Sequence, residues 1–235
     1  MKIDECQVWW VRVEGDTDRL EAVLGPEERE RWGRLRHRRS RARYVVAHAA
    51  ARAVCGRLLD IAPAKVRFTA TCRHCGGPHG RPGVDVDGRR LRVSLSHSGD
   101  RAAVALAWDT EVGVDLETVA VRGRIPLTAL AEAEREHLDG VAPADRVATF
   151  IRYWTRKEAV LKATGDGLVV APRRVTVSAP EAPPAVLGWA DRPPPHSPVF
   201  LTDLRPWPGY HASLATLDRP LRLVEADATP LLSGI

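Results

Sequence analysis

Three carboxylates and two lysines carry the spacing in this sequence that most suggests chemistry. In VGVDLE, Val112, Val114 and Leu116 share one parity while Asp115 and Glu117 share the other, so a strand would set both acids on one face. Like charges held that close repel unless a cation separates them, and two carboxylates on one strand face offer hard oxygen ligands to Mg²⁺. For this pair alone, an exposed sheet edge with acids facing water is the simpler account. Further along, Val147, Ile151, Trp154 and Leu161 form an apolar helical stripe whose missing member is Glu158. A carboxylate in a core-facing seam must be neutral, ion-paired or bound to a metal. Lys162 lies one turn later on the same side, and Lys157 flanks the seam. A Glu158 to Lys162 helix pair, worth about 0.3–0.5 kcal/mol, would explain the lysine but not the inward carboxylate.

Two smaller clusters are weaker signals. Ser96-His97-Ser98-Gly99 stands at a strand end before a turn, where a hydroxyl and an imidazole suit phosphate oxygens better than nucleophilic catalysis, since strand neighbours point to opposite faces. A hairpin with polar ends fits the same residues. Cys72-Arg-His-Cys75, with His74 and His79, resembles half of a zinc site, yet the second CxxC is missing and reduced surface thiols are the simpler account.

The elements that must position these groups follow from periodicity. Pro26-Glu27-Glu28 opens a helix ending near Arg36 to His37, and a second helix covers about 40–59. A short strand is expected at 63–70 and a Gly/Pro-rich loop at 71–83. Residues 91–97 and 102–108 alternate around Ser98-Gly99-Asp100, which predicts a hairpin, and 111–117 follows as a third strand. Helices are expected at 127–138 and 144–164, the latter stopped by Gly165-Asp166-Gly167, and strands at 174–178, 198–204 and 210–217. Close strand spacing argues α+β with mainly antiparallel sheets.

At 235 residues with 44% hydrophobic and 28% charged residues, the chain reads as globular. No stretch approaches the roughly 20 apolar residues of a membrane span, and the acidic start lacks a secretory signal, which predicts a cytoplasmic protein. Charge divides unevenly, net +7 over 1–109 and −2 over 110–235. Arg29 to Arg43 holds eight arginines, which suits a polyanion or an acidic protein surface, or only a solvated helix face.

VSLSHSG, GVDLE and WTRKEAVLKATGDGL, in that order, resemble the three motifs of the 4'-phosphopantetheinyl transferases of the surfactin-synthetase-activating type. The resemblance extends over Gly25-Pro26-Glu27 to Arg43, Gly80-Arg81-Pro82 and the closing segment 209–215. It implies a monomeric pseudo-dimer of two similar α+β halves, 1–109 and 110–235, with coenzyme A and Mg²⁺, or Mn²⁺, in the cleft between them. The implied reaction moves 4'-phosphopantetheine onto a serine of an acidic acyl or peptidyl carrier protein and releases adenosine 3',5'-bisphosphate. By motif match Asp115, Glu117 and Glu158 would hold the ion, with Glu158 also the base and Lys162 neutralising phosphate charge, Lys157 nearby. Arg43 and His97, helped by Arg31, would hold the 3'-phosphate, and Arg81 and Ser96 would line the nucleotide site. Glu28 and Tyr44 depart from the lysine and threonine common in the family. Residues 118–140 are expected to help dock the carrier. A metal-dependent phosphoesterase or nuclease would use the same carboxylates with water, and a nucleic-acid module would use the arginine run; the acidic second half and scarce aromatics disfavour the latter.

Overall fold

Gly25, extended, precedes Pro26 at the first helical position, where a missing N–H costs nothing, and the Glu28 carboxylate accepts the Gly25 N–H at 2.7 Å. The computed structural model describes every residue except 16, 73, 74, 78, 79, 121–124, 168 and 192. The chain divides into two compact units, Met1–Asp109 with Leu221–Ile235, and Thr110–Pro220.

The first unit contains β1 (Glu5–Arg12), α1 (Pro26–Arg34), α2 (Arg38–Leu59), β2 (Gly83–Val86), β3 (Arg89–Ser98) and β4 (Arg101–Trp108). The second contains β5 (Val112–Thr118), α3 (Glu132–Asp139), α4 (Arg146–Thr164), β6 (Val175–Val177), β7 (Val186–Trp189), β8 (Val199–Leu204) and β9 (Tyr210–Leu217). The chain then returns to the first unit as β10 (Arg222–Asp227) and α5 (Thr229–Leu232). Hence the second half expected at 110–235 gives up its last residues to the first unit.

In the first unit the sheet order is β10-β1-β4-β3-β2. All its pairs are antiparallel except β1 with β10, which run parallel, so the sheet is mixed. Helix α2 is buried from Val45 to Gly56 except at His48, and its small residues Ala47, Ala49, Ala50, Ala51 and Ala53 allow close packing in the core formed with Leu91, Val93, Val104 and Leu106. The expected strand at 63–70 is a correction. Pro63 opens a 3₁₀ turn at Pro63–Lys65, and only Thr69 pairs strand-fashion, with Gly83. The Pro63 and Val66 carbonyls are taken instead by the buried Arg52 guanidinium, at 3.4 and 2.8 Å. The hairpin of β3 and β4 turns through Gly99 at φ 58°, a left-handed conformation suited to glycine.

In the second unit a three-stranded antiparallel sheet, β5-β9-β8, packs against α4, and β6 and β7 form a small hairpin. Helix α4 closes with Gly165 at φ 75°, while the Asp166 N–H donates to the Leu161 carbonyl and the Gly165 N–H to that of Lys162. The first turn of the helix expected at 127–138 is instead 3₁₀, at Leu127–Ala129. Among the described residues no helix is long and apolar enough to cross a membrane.

Candidate active site

The geometry of the site begins with a missing side chain. A Cβ at Gly113 would fall 2.0 Å from the Ala159 carbonyl oxygen and 2.5 Å from the Ala163 nitrogen, so β5 lies directly on the α4 backbone. That approach brings the acids of β5 to the half-exposed strip of α4 formed by Trp154, Glu158 and Lys162. The Lys162 ammonium donates to Asp115 Oδ1 at 2.7 Å and to the Val114 carbonyl at 2.9 Å. Asp115 is 4% exposed, which removes the account of an acidic edge facing water. Glu117 is half-buried two residues on.

Glu158 is half-buried, and burial together with the Asp115 charge pushes its carboxyl up to about 7. Lys162 opposes that rise and Glu117 adds to it. The four groups are therefore one electrostatic cluster of three acids and one ammonium. Its donors are hard oxygens with excess negative charge, and this chemistry suits Mg²⁺ or Mn²⁺. Among the described residues no three His, Cys, Asp or Glu side chains are gathered closely enough to form a ready cage, and the ammonium of Lys162 sits against Asp115.

Lys157, expected beside phosphates, is placed elsewhere. It is fully buried, and its three donors reach Glu134 Oε2 at 2.5 Å, the Pro172 carbonyl at 3.1 Å and that of Val175 at 2.5 Å. Burial pulls its ammonium below the ordinary lysine range, against the pull of Glu134. Glu134 also accepts the N–H groups of Ala131 and Val177, so this ion pair ties α3, α4 and β6 together. Lys157→Met should cost about 3–5 kcal/mol in urea unfolding by leaving Glu134 buried without its cation. Turnover per folded molecule should persist, and selective loss of coenzyme affinity would return Lys157 to the site.

Arg156 gives no sign of a supporting role in the sequence. It is 0% exposed, grips Asp203 in two-point fashion at 3.0 and 2.7 Å, and donates to the Ser178, Ala179 and Ala182 carbonyls. Ser213, opposite Asp115 in the β5–β9 register, links Thr155 at 3.1 Å to Asp203 at 3.2 Å. In a helix this rich in polar residues, nothing in the sequence separates Thr155 and Arg156 from solvent-facing neighbours.

The remaining expected site residues lie in the first unit. Ser96 is buried and His97 exposed, on opposite faces of β3. Arg81 is half-buried just before β2, and Arg31 is exposed on α1. Arg43, on α2, is half-buried, and its Nε has no hydrogen-bond partner among the described residues. Next to it the Tyr44 ring stacks on His48 at 4.1 Å, and burial and the Glu28 charge push its hydroxyl up to about 12. Glu28 itself belongs to the framework. It receives Arg52 Nε at 2.6 Å and lies 3.0 Å from His48 Nδ1. Burial raises its carboxyl, but His48, the Gly25 N–H and Arg52 bring it down to about 2.

The cysteines Cys6 and Cys55 are core thiols pushed up to about 12 by burial. Cys72 is buried and Cys75 exposed in a loop where Gly76 stands at φ 73°. His74 and His79, the other candidate zinc ligands, lie outside the described residues, as does 121–124 of the expected docking connection.

A family model described as the 4'-phosphopantetheinyl transferase superfamily matches residues 111–215, from the start of β5 into β9. A putative 4'-phosphopantetheinyl transferase of Synechocystis, slr0495, is 31% identical over 152 residues, 63% of this chain and 59% of its own length. The 4'-phosphopantetheinyl transferase HetI of Nostoc is 31% identical over 175 residues, 70% of each chain. The matched region thus spans about three fifths to seven tenths of these relatives. A solved Chronobacterium ammoniagenes ACPS-CoA complex is similar over 46% of this chain and 96% of its own, with 17% identity and a TM-score of 0.38.

Proposed function

The chain belongs to the 4'-phosphopantetheinyl transferase family, and from that premise we propose that it moves 4'-phosphopantetheine from coenzyme A to a serine of an apo carrier protein. The observation that carries the proposal is the electrostatic coupling of Asp115, Glu117 and Lys162 to Glu158 across β5 and α4, with Lys162 on Asp115 and Glu158 able to exchange a proton near neutrality. In this reading the serine oxygen bonds to the phosphorus of the phosphopantetheine arm, and the P–O bond to adenosine 3',5'-bisphosphate breaks. Glu158 takes the serine proton, and Lys162 offsets charge on the departing phosphate.

Asp115, Glu117 and Glu158 are the side chains proposed to hold Mg²⁺ or Mn²⁺, which when bound supplies charge neutralisation to the diphosphate. Arg43 and His97, with Arg31, are proposed for the 3'-phosphate, and Arg81 and Ser96 for the rest of the nucleotide. Lys157 enters only through its support of α4. We assign the chain to the surfactin-synthetase-activating type, acting as a cytoplasmic monomer on acidic carriers, on the order of its motifs and the basic first half.

Incubating the chain with coenzyme A, Mg²⁺ and several apo carriers, then weighing each carrier, tests the activity. A mass gain of one phosphopantetheine is expected, and no gain on any carrier overturns the reading. Residues 118–140 are proposed to dock the carrier, and Leu127 is 44% exposed within them. Leu127→Asp should raise the carrier KM about fivefold or more, with the coenzyme A KM unchanged. An unchanged carrier KM removes that surface.

A further inference from the structure

We propose that Lys162 is a built-in counter-cation that competes with the divalent ion for Asp115, so that ion uptake and release of the lysine ammonium are a single exchange. The proposal rests on the metal-site reading above and deepens it. Its basis is the position of the ammonium, 2.7 Å from Asp115 Oδ1 and 2.9 Å from the Val114 carbonyl oxygen.

That position gives Oδ1 of the most enclosed acid of the cluster a cation. Asp115 is buried, whereas the Lys162 side chain keeps 28% of its surface exposed, so the ammonium approaches from the more open side. The root of the side chain is held, because a Cβ at Gly113 would lie 3.0 Å from Lys162 Cβ. The four-carbon stem above that root is flexible, and lysine carries its charge at the tip as a compact point. An ammonium offsets part of the negative charge of the three acids and leaves the remainder to draw in a dication.

A dication and an ammonium on one carboxylate repel each other. Mg²⁺ takes oxygen ligands at about 2.0–2.1 Å, shorter than the ammonium contact, and so claims Asp115 more closely than Lys162 does. That repulsion favours release of the ammonium, for which the proposed reaction offers the phosphates of coenzyme A. Before the ion arrives Lys162 holds Asp115 Oδ1, which limits the repulsion that β5 and α4 would otherwise feel. Afterwards it becomes a donor to substrate. One side chain thus serves two states without a change in the fold.

The test is Mn²⁺ binding to the full chain in the absence of coenzyme A, read as loss of the free-ion signal in electron paramagnetic resonance. Lys162→Met should bind Mn²⁺ about five- to tenfold more tightly than the unsubstituted chain, because the competing charge is gone. Lys162→Gln, polar and of similar reach, should show the same gain should methionine disturb packing. Lys162→Arg, which retains the cation, should bind no more tightly than the unsubstituted chain. Equal or weaker binding by both neutral variants overturns the exchange and leaves Lys162 as a brace for Asp115. The carrier mass assay separates the two readings. Mass gain without the expected Mn²⁺ ranking removes the exchange alone, and the expected ranking without mass gain on any carrier removes the transferase reading alone.

Discussion

Glu158→Gln should lower transfer to a carrier by about 10³-fold or more while the chain stays folded, since a positioned general base contributes about 10²–10⁴ and the same change weakens the ion site. Single-turnover mass measurement of the carrier checks it, and activity within tenfold of the unsubstituted chain would remove Glu158 from the chemistry. The substitution also has a signature that needs no substrate. Burial and the Asp115 charge raise the Glu158 carboxyl from 4.5 to about 7, so between those values the folded chain binds more protons than the unfolded chain. Stability from this group is intact below pH 4.5, falls as pH rises to about 7, and stays lost above it. For a half-buried carboxyl the loss is on the order of 2–3 kcal/mol. Urea unfolding in chelator should therefore show a shallower decline across pH 5–7 for Glu158→Gln, and added Mn²⁺ should flatten the decline in the unsubstituted chain.

The second large effect is at Gly113. A methyl carbon there would lie only 2.0 Å from the Ala159 carbonyl oxygen, so Gly113→Ala forces β5 off the helix backbone, because neither backbone can yield as a side chain would. The cost should be about 3 kcal/mol or more. Whatever fraction still folds should hold Asp115 and Glu117 farther from Glu158 and Lys162. Both the urea midpoint and the transfer rate per folded molecule should fall, and a variant with unaltered midpoint and rate would show that the close approach is dispensable.

These two residues also mark how far the sequence can be read. The parity of Asp115 and Glu117, and the polar member of the α4 stripe at Glu158, are legible because side-chain direction in a strand or helix follows from position alone. Gly113 is legible only as a letter of a motif, since its reason is a neighbour 46 to 50 residues away along the chain, Ala159 and Ala163. Lys157 and Glu158 are adjacent polar residues in one helix, and nothing local says which meets Glu134 in the interior and which meets Asp115. That depends on the packing of α3 and β6, whose contribution is tertiary. The hairpin of β3 and β4 is plain from alternation and its glycine turn. Strand β1 escapes a sequence reading because it runs between two partners and is buried too evenly to alternate, and β10 because it is short, partly exposed and paired with a strand more than 200 residues earlier.

The return of residues 221–235 has a consequence for how the protein is made. Strand β10 completes the sheet beside β1, and Leu232 of α5 joins the same core, so the first unit depends on residues synthesised after the whole of the second. The second unit is continuous in sequence and can mature on the ribosome before it. A nascent chain halted after residue 220 would carry a finished Thr110–Pro220 module attached to an unfinished neighbour, with one side of β1 lacking its mate. The unit that begins first in translation is thus the one whose last residues are made last.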